Sequence, residues 1–281
     1  MQRARRWRAL FLVRGALPIL CLTALLTGAP AQAQTPWTPV DLPESCQSPD
    51  HVHGRATVAH VFDGDTVRLD DGTRVRLIGL DTPEYHHRNP DLDPEPFAEE
   101  AHDALSALLA YHGHQVIVVH DRELHDRFQR LLAHLFTPDG QSVTALMLAQ
   151  GLATRLTIPP NDWNLDCYRD AERRAGEARL GLWALPEHRL FDARELPRDA
   201  EGFRRVEGRV VRIGESSRAV WINLEGDVAL RVDHPDLANF PELDVRALEN
   251  QRVRARGHVY NHRGQPRIRI RHPANLEVLE P

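Results

Sequence analysis

The stretch VFDGDTVRLDDGTRVRLIGLDTPE, residues 61–84, decides the fold. Two alternating runs, DTVRL (65–69) and RVRLIGL (74–80), flank Asp70-Asp71-Gly72-Thr73. Alternation of period two around an Asp-Gly turn predicts a β-hairpin. With the turn centred near Asp71-Gly72, residue 65 is expected opposite about 78, and 76 opposite 67. Asp65 and Arg76 then share a face, because strand side chains alternate. Asp81 follows where the second run ends, and Thr82-Pro83 turns the chain away. Asp65, Asp81, Arg76 and the trailing Glu84 therefore converge at the mouth of one hairpin, with Asp63 beside them. A slip of one residue in register would undo that convergence.

Patterning outward from the hairpin adds strands at 55–61, 115–120 and 131–137. PFAEEAHDALSALLAYH (96–112) has helical spacing, with Pro96 suited to a first turn. SVTALMLAQGLA reads as a short helix capped by Ser142, and 162–183 as a longer one. Strands early and helices late, without βαβ alternation, argue for an α+β barrel with helices. The 281 residues, 42% hydrophobic and 27% charged, exclude a disordered tail, a collagen-like repeat and a polytopic membrane protein.

Met1–Ala33 reads as an export signal: five arginines and no acid, an apolar run, then Ala31-Gln32-Ala33 as a cleavage site. The uninterrupted apolar run, GALPILCLTALL, is short of the roughly 20 residues a spanning helix needs. An exported, periplasmic or secreted protein is expected, with no membrane segment after cleavage. Loss of those five arginines would take the formal net charge from −5 to −10. Two cysteines would remain, Cys46 and Cys167; in an oxidising compartment they suggest one disulfide, the alternative being two free thiols. A lead-in is expected over 34–50, a first domain over 51–190, a linker over 191–200 and a second domain over 201–281. The first domain carries 14 Arg and 22 acids, the last 14 Arg and 12 acids.

Two carboxylates with a nearby backbone carbonyl make a hard, oxygen-only site of the kind that suits Ca2+ and its waters. Glu84 is placed to orient or deprotonate a water, and a guanidinium offers phosphate a bidentate fork. Metal, base and Arg together are what phosphodiester cleavage requires. The residues alone also fit solvated hairpin charges with a surface ion pair.

VFDGDTVRL followed by VRLIGLDTPE resembles the signature of the staphylococcal nuclease (thermonuclease) family. The likeness continues through PFAEEA, DRFQRLLAHLF, ALMLAQGLA and YRDAERRAGEARLGLW, over about residues 55–184. The resemblance implies an OB-type five-stranded barrel with helices, and an endonuclease acting on DNA with little sequence specificity, RNA being left open as a second substrate. It implies Asp65 and Asp81 as Ca2+ carboxylates, with the Thr82 main-chain carbonyl as a third ligand. It implies Glu84 as general base or water-positioner, Arg76 and Arg130 as the phosphate clamp, and products ending in 3′-phosphate. Asp63 fits a supporting place behind the ligands. Two departures stand out. Gln129 and Phe128 occupy the family's Gly and aromatic-hydroxyl positions before Arg130, and a Gly there often marks a left-handed backbone. The tyrosines expected after GLA are replaced by TRLTIPP, leaving Trp163 as a candidate stacking partner.

The C-terminal stretch carries five strand-like runs and, around DHPDLANFPELDVRALEN, room for a short helix. This suggests a second small barrel of OB type, and the tail resembles the β-barrel that follows some secreted nuclease domains. Arg252, Arg254 and Arg256 share one strand face, and Arg267, Arg269 and Arg271 the next. Paired in a hairpin they are expected to form a six-arginine patch for phosphate backbone, or else a charged face that blunts a sheet. His86-His87 and the acids of 91–95 read as a solvated loop, and the scattered histidines as structural. No partner protein is implied, so a monomer is expected. The competing reading is a non-catalytic nucleic-acid-binding envelope protein using the Arg-rich barrel.

Overall fold

The computed structural model describes residues 40–85 and 92–279. The export signal, His86, His87 and Asp91 lie outside the described residues. Five strands close the first barrel: β1 (Gly54–Val61), β2 (Thr66–Leu69), β3 (Arg74–Leu77), then β5 (Gln115–His125) and β6 (Leu131–Phe136), in the order β1-β2-β3-β6-β5. All neighbours are antiparallel except β3 with β6. A two-residue strand, β4 (Leu80–Asp81), pairs with β7 (Thr154–Arg155).

Helix α1 (Ala98–Tyr111) buries Ala101, Ala104, Leu105 and Leu108, the one-face spacing of 3.6 residues per turn. Helix α2 (Val143–Ala149) starts at Ser142, whose Oγ accepts from the Ala145 N–H at 3.2 Å, the cap the sequence predicts. Helix α3 (Leu165–Glu177) is shorter than expected from the sequence. Cys167 on α3 forms a disulfide with Cys46, their Cα atoms 5.2 Å apart, so the lead-in lies against the first core. Gly79, at φ +93°, sits against the buried Tyr168 ring; a Cβ there would come within 2.3 Å of it. The Tyr168 hydroxyl is 2.6 Å from Nδ1 of the buried His134, which ties α3 to the barrel wall.

The second barrel repeats the topology of the first. Its strands are β8 (Leu190–Asp192), β9 (Gly202–Glu215), β10 (Ala219–Leu224), β11 (Ala229–Asp233), β12 (Arg252–His262), β13 (Gln265–Arg269) and β14 (Leu276–Leu279). β9, β10, β11, β13 and β12 pair in that order, and β12 returns to β9 to close the ring. Here too only one pair within the ring, β11 with β13, is parallel. β8 and β14 flank the ring. The stretch expected as a linker is not free chain: Phe191, Ala193, Leu196 and Ala200 pack into the second core. The expected helix between β11 and β12 is replaced by two 3-10 turns, His234–Asn239 and Val245–Ala247. Pro235 stands in the first turn, where it is tolerated, but Pro241 holds Phe240 out of helical geometry and ends the first turn there.

The barrels meet around one buried carboxylate. Glu172 on α3 is 6% exposed and takes both terminal nitrogens of Arg256 from β12. The Arg155 N–H donates to the same carboxylate at 2.6 Å. Arg256 Nη2 also donates to the Arg155 carbonyl, and Arg155 Nη2 to the Ala274 carbonyl. Burial alone would raise Glu172; the Arg256 charge and its hydrogen bonds outweigh that and hold it below its ordinary value. Burial, with Arg256 alongside, brings Arg155 down to about 10.

Removing one partner of such a pair leaves a charge without compensation, so Arg256→Ala should lower unfolding stability by about 3–5 kcal/mol, read in urea at neutral pH. A depressed carboxylate adds stability above its unfolded pKa and loses it as pH falls through the folded one. The acid limb of the wild-type stability curve should therefore flatten in Glu172→Gln; identical limbs would show that the clamp does not titrate.

Candidate active site

Asp65 precedes β2, in a bend that Gly64 makes possible. A Cβ on Gly64 would lie 2.7 Å from Thr82 Cγ2 and 2.8 Å from the Ala101 Cβ. This close approach brings the 63–65 bend against the turn that follows β4. The Asp63 carboxylate accepts from the Asp65 N–H at 3.0 Å. Asp65 Oδ1 accepts from the Thr66 hydroxyl at 2.8 Å, and Oδ2 faces the Thr82 hydroxyl at 3.3 Å and N–H at 3.4 Å.

Arg76 lies between the two carboxylates. Its Nη2 is 2.9 Å from Asp65 Oδ2 and 2.9 Å from Asp81 Oδ1. Its Nη1 donates to the Leu77 and Leu80 carbonyls at 2.8 and 2.9 Å. The hairpin register differs by one from the expected one, since Arg76 pairs with Thr66 and Val75 with Val67. The convergence survives because Asp65 stands outside the strand and the long Arg76 side chain reaches past Thr66 to it. Burial lowers Arg76, but the charges of Asp65, Asp81, Asp63 and Glu84 raise it overall. Burial, reinforced by the Asp65 charge, pushes Asp63 up to about 7. Burial also raises Asp81, and Arg76 only partly offsets this.

Arg130 is positioned by the turn between β5 and β6. Asp126 Oδ1 accepts from the Phe128 and Arg130 N–H groups at 2.8 and 2.9 Å, and Oδ2 from Arg130 Nε at 2.7 Å. Arg130 Nη1 reaches the Thr66 hydroxyl at 3.3 Å, one residue from Asp65. Gln129 takes φ +60°, the left-handed backbone that a glycine adopts without cost.

Two cavities flank this centre. One, of about 650 Å³, holds Asp81, Thr82, Glu84 and Glu95, and five acids against one arginine line it. Glu84, exposed at its rim, is linked to Glu95 through its N–H. The other, of about 550 Å³, holds Arg76, Asp126, Phe128 and Arg130, and five arginines against two acids line it. The acid-lined and the arginine-lined cavity thus meet at the Arg76–Asp81 pair.

Among the described residues no three His, Cys, Asp or Glu side chains are grouped to hold a metal ion. The donors at Asp65 and Asp81 are hard oxygens, and beside them burial and the Asp65 charge disfavour the Asp63 anion. That donor set fits a divalent cation completed by main-chain and water oxygens, and not a structural zinc.

The second barrel also reaches the site, which the sequence reading missed. His258 Nε2 stands 3.5 Å from Asp81 Oδ2, and Arg269 and Arg271 line the basic cavity. The six arginines do not form one patch. β13 pairs with residues 259–262 of β12, while 252–255 face β14 and β9, so the two triplets are not cross-strand neighbours. Arg252 and Arg254 bind Glu207, Arg256 binds Glu172, Arg269 binds Asp233 and Asp236, and Arg267 lies over Trp221. Trp163 packs edge-on against His134 and is 38% exposed. Asp126 was also missed, although an Asp four residues before an Arg at a turn is a readable signal.

A sequence model of the staphylococcal nuclease homologue family matches residues 74–185. The thermonuclease of Staphylococcus intermedius is 33% identical over 129 residues, 45% of this chain and 74% of the relative. The chain belongs to the staphylococcal nuclease family. An uncharacterized endonuclease of Escherichia coli is 28% identical over 142 residues, 47% of this chain and 78% of the relative. An uncharacterized protein of Methanocaldococcus jannaschii is 31% identical over 153 residues, 47% of this chain and 73% of the relative. The family match ends at residue 185, before the second barrel's ring begins at Gly202.

A left-handed non-glycine residue costs about 1–2 kcal/mol, and glycine returns part of that as backbone entropy. Gln129→Gly should stabilise the protein by about 0.5–1 kcal/mol, and Gln129→Ala should not. Calorimetry that finds the two variants alike would show the turn to be unstrained.

Proposed function

We propose that the protein is an exported, Ca2+-dependent phosphodiester hydrolase that cleaves nucleic acid internally with little regard to sequence. Membership of the nuclease family supports the hydrolytic class. The observation that carries the reading is the meeting of an acidic and a basic cavity at the Arg76–Asp81 pair. A phosphate needs guanidinium on one side and a cation and base on the other, and that division is what the two cavities offer.

Asp65 and Asp81 would hold the ion, with the Thr82 carbonyl beside them. When bound, calcium supplies charge neutralisation at the phosphate and an ordered water. Glu84, at the rim of the acidic cavity, would orient the attacking water and take its proton. Arg130, braced through Asp126, binds the non-bridging oxygens and the charge that develops on them. Arg76, paired with both carboxylates and lining the basic cavity, would offer its guanidinium to the same phosphate. Phe128, 65% exposed in the basic cavity, offers a ring face to a base. Export is supported by the Met1–Ala33 pattern and by the Cys46–Cys167 bond, since disulfides persist in oxidising compartments.

The test is cleavage of single-stranded DNA by the mature protein with Ca2+ and with chelator. Chelation should abolish cutting. Glu84→Gln and Arg130→Ala should each lower kcat at least 100-fold while the fold persists by circular dichroism. Undiminished cutting by both variants would refute the assignment.

A further inference from the structure

We propose that the second barrel supplies one wall of the substrate cleft, and that Arg271 binds a backbone phosphate of the strand beyond the phosphate held at Arg130. This rests on the hydrolase reading for its substrate class, but not for its test.

The basic cavity is built from both barrels. Arg76, Arg127 and Arg130 line it from the first, and Arg269 and Arg271 from the second. Bringing five guanidiniums to one cavity of an acidic chain is unfavourable unless anions occupy it. Most of these charges are already answered. Arg76 is neutralised by Asp65 and Asp81, Arg130 by Asp126, and Arg269 by Asp233 and Asp236 at 2.7 and 3.0 Å.

Arg271 differs. Its Nε is buried and makes no hydrogen bond among the described residues, and the Asp236 carboxylate it approaches stands 3.8 Å away and already binds Arg269. Its side chain is still 35% exposed towards the cavity. Its backbone is pinned on both sides, since the Ile270 N–H donates to the Arg231 carbonyl and the Asn239 amide donates to the Arg271 carbonyl. A held backbone with an incompletely paired guanidinium is prepared for an anion that is not part of the protein. The nearest functional anion of suitable geometry is a phosphodiester, for which the arginine fork is matched. The sequence pattern placed Arg271 in a six-arginine patch; the structure assigns it to the cleft instead.

The test is binding of a fluorescent single-stranded oligonucleotide in calcium buffer, in the Glu84→Gln background, with thermal unfolding as a check of folding. Arg271→Ala should weaken binding about tenfold and flatten the dependence of log affinity on log salt by about 0.7, the loss of one phosphate contact. Arg271→Lys should keep the salt slope while losing affinity, because it keeps the charge and loses the fork. Arg212→Ala, exposed on β9 outside the cavity, is the matched loss of charge and should bind like the background protein. In otherwise wild-type protein, Arg271→Ala should raise KM with kcat little changed. Arg271 and Arg212 variants binding alike would overturn the proposal, as would failure of the background protein to bind the strand. A wild type that binds without cutting, yet loses affinity on Arg271→Ala, would overturn the hydrolase reading and uphold this one.

Discussion

A single guanidinium nitrogen organises the site. Arg76 Nη2 touches both Asp65 and Asp81, and Nη1 closes the ends of β3 and β4 through two carbonyls. Without that guanidinium the two carboxylates would repel across the cleft, and burial with the Asp65 charge already pushes Asp63 beside them up to about 7. The bend at Gly64, the turn at Thr82 and the hairpin end are all held by hydrogen bonds or contacts to these acids. The chemistry the site offers follows from that arrangement, because Asp81 lines the acidic cavity while Arg76, paired with it, lines the basic one.

Much of this was legible in the sequence because the informative interactions are local. Asp65, Arg76 and Asp81 lie within one hairpin and its exit, so alternation and a turn signal bring them together even with the register misjudged by one. Ser142 as a cap and the helical face of α1 are equally local patterns. Gln129 also declared itself: a residue where the family's pattern has glycine pointed to the left-handed backbone that the turn adopts.

What stayed hidden depends on contacts between residues far apart in the chain. His258 meets Asp81, Arg256 meets Glu172, and Arg271 shares a cavity with Arg130, none of which any spacing rule can show. The arginine patch failed for the same reason. Alternation correctly put three arginines on each strand face, but the partner strands were not known, and the acids opposite them come from β9, β14, α3 and β11. The expected helix failed more simply, at Pro241, which stops the first turn at Phe240.

The carboxylate of Glu172 bears on how this architecture can be taken apart. It belongs to the nuclease unit, yet the guanidinium that takes both its oxygens belongs to the neighbouring barrel. Separating the two would take from that carboxylate the guanidinium that binds both its oxygens and would strip a wall from the basic cleft. The catalytic half is therefore not a portable module, although its own strands close on themselves. Shuffling or minimising this nuclease would first require redesigning the helix face that its companion has come to complete.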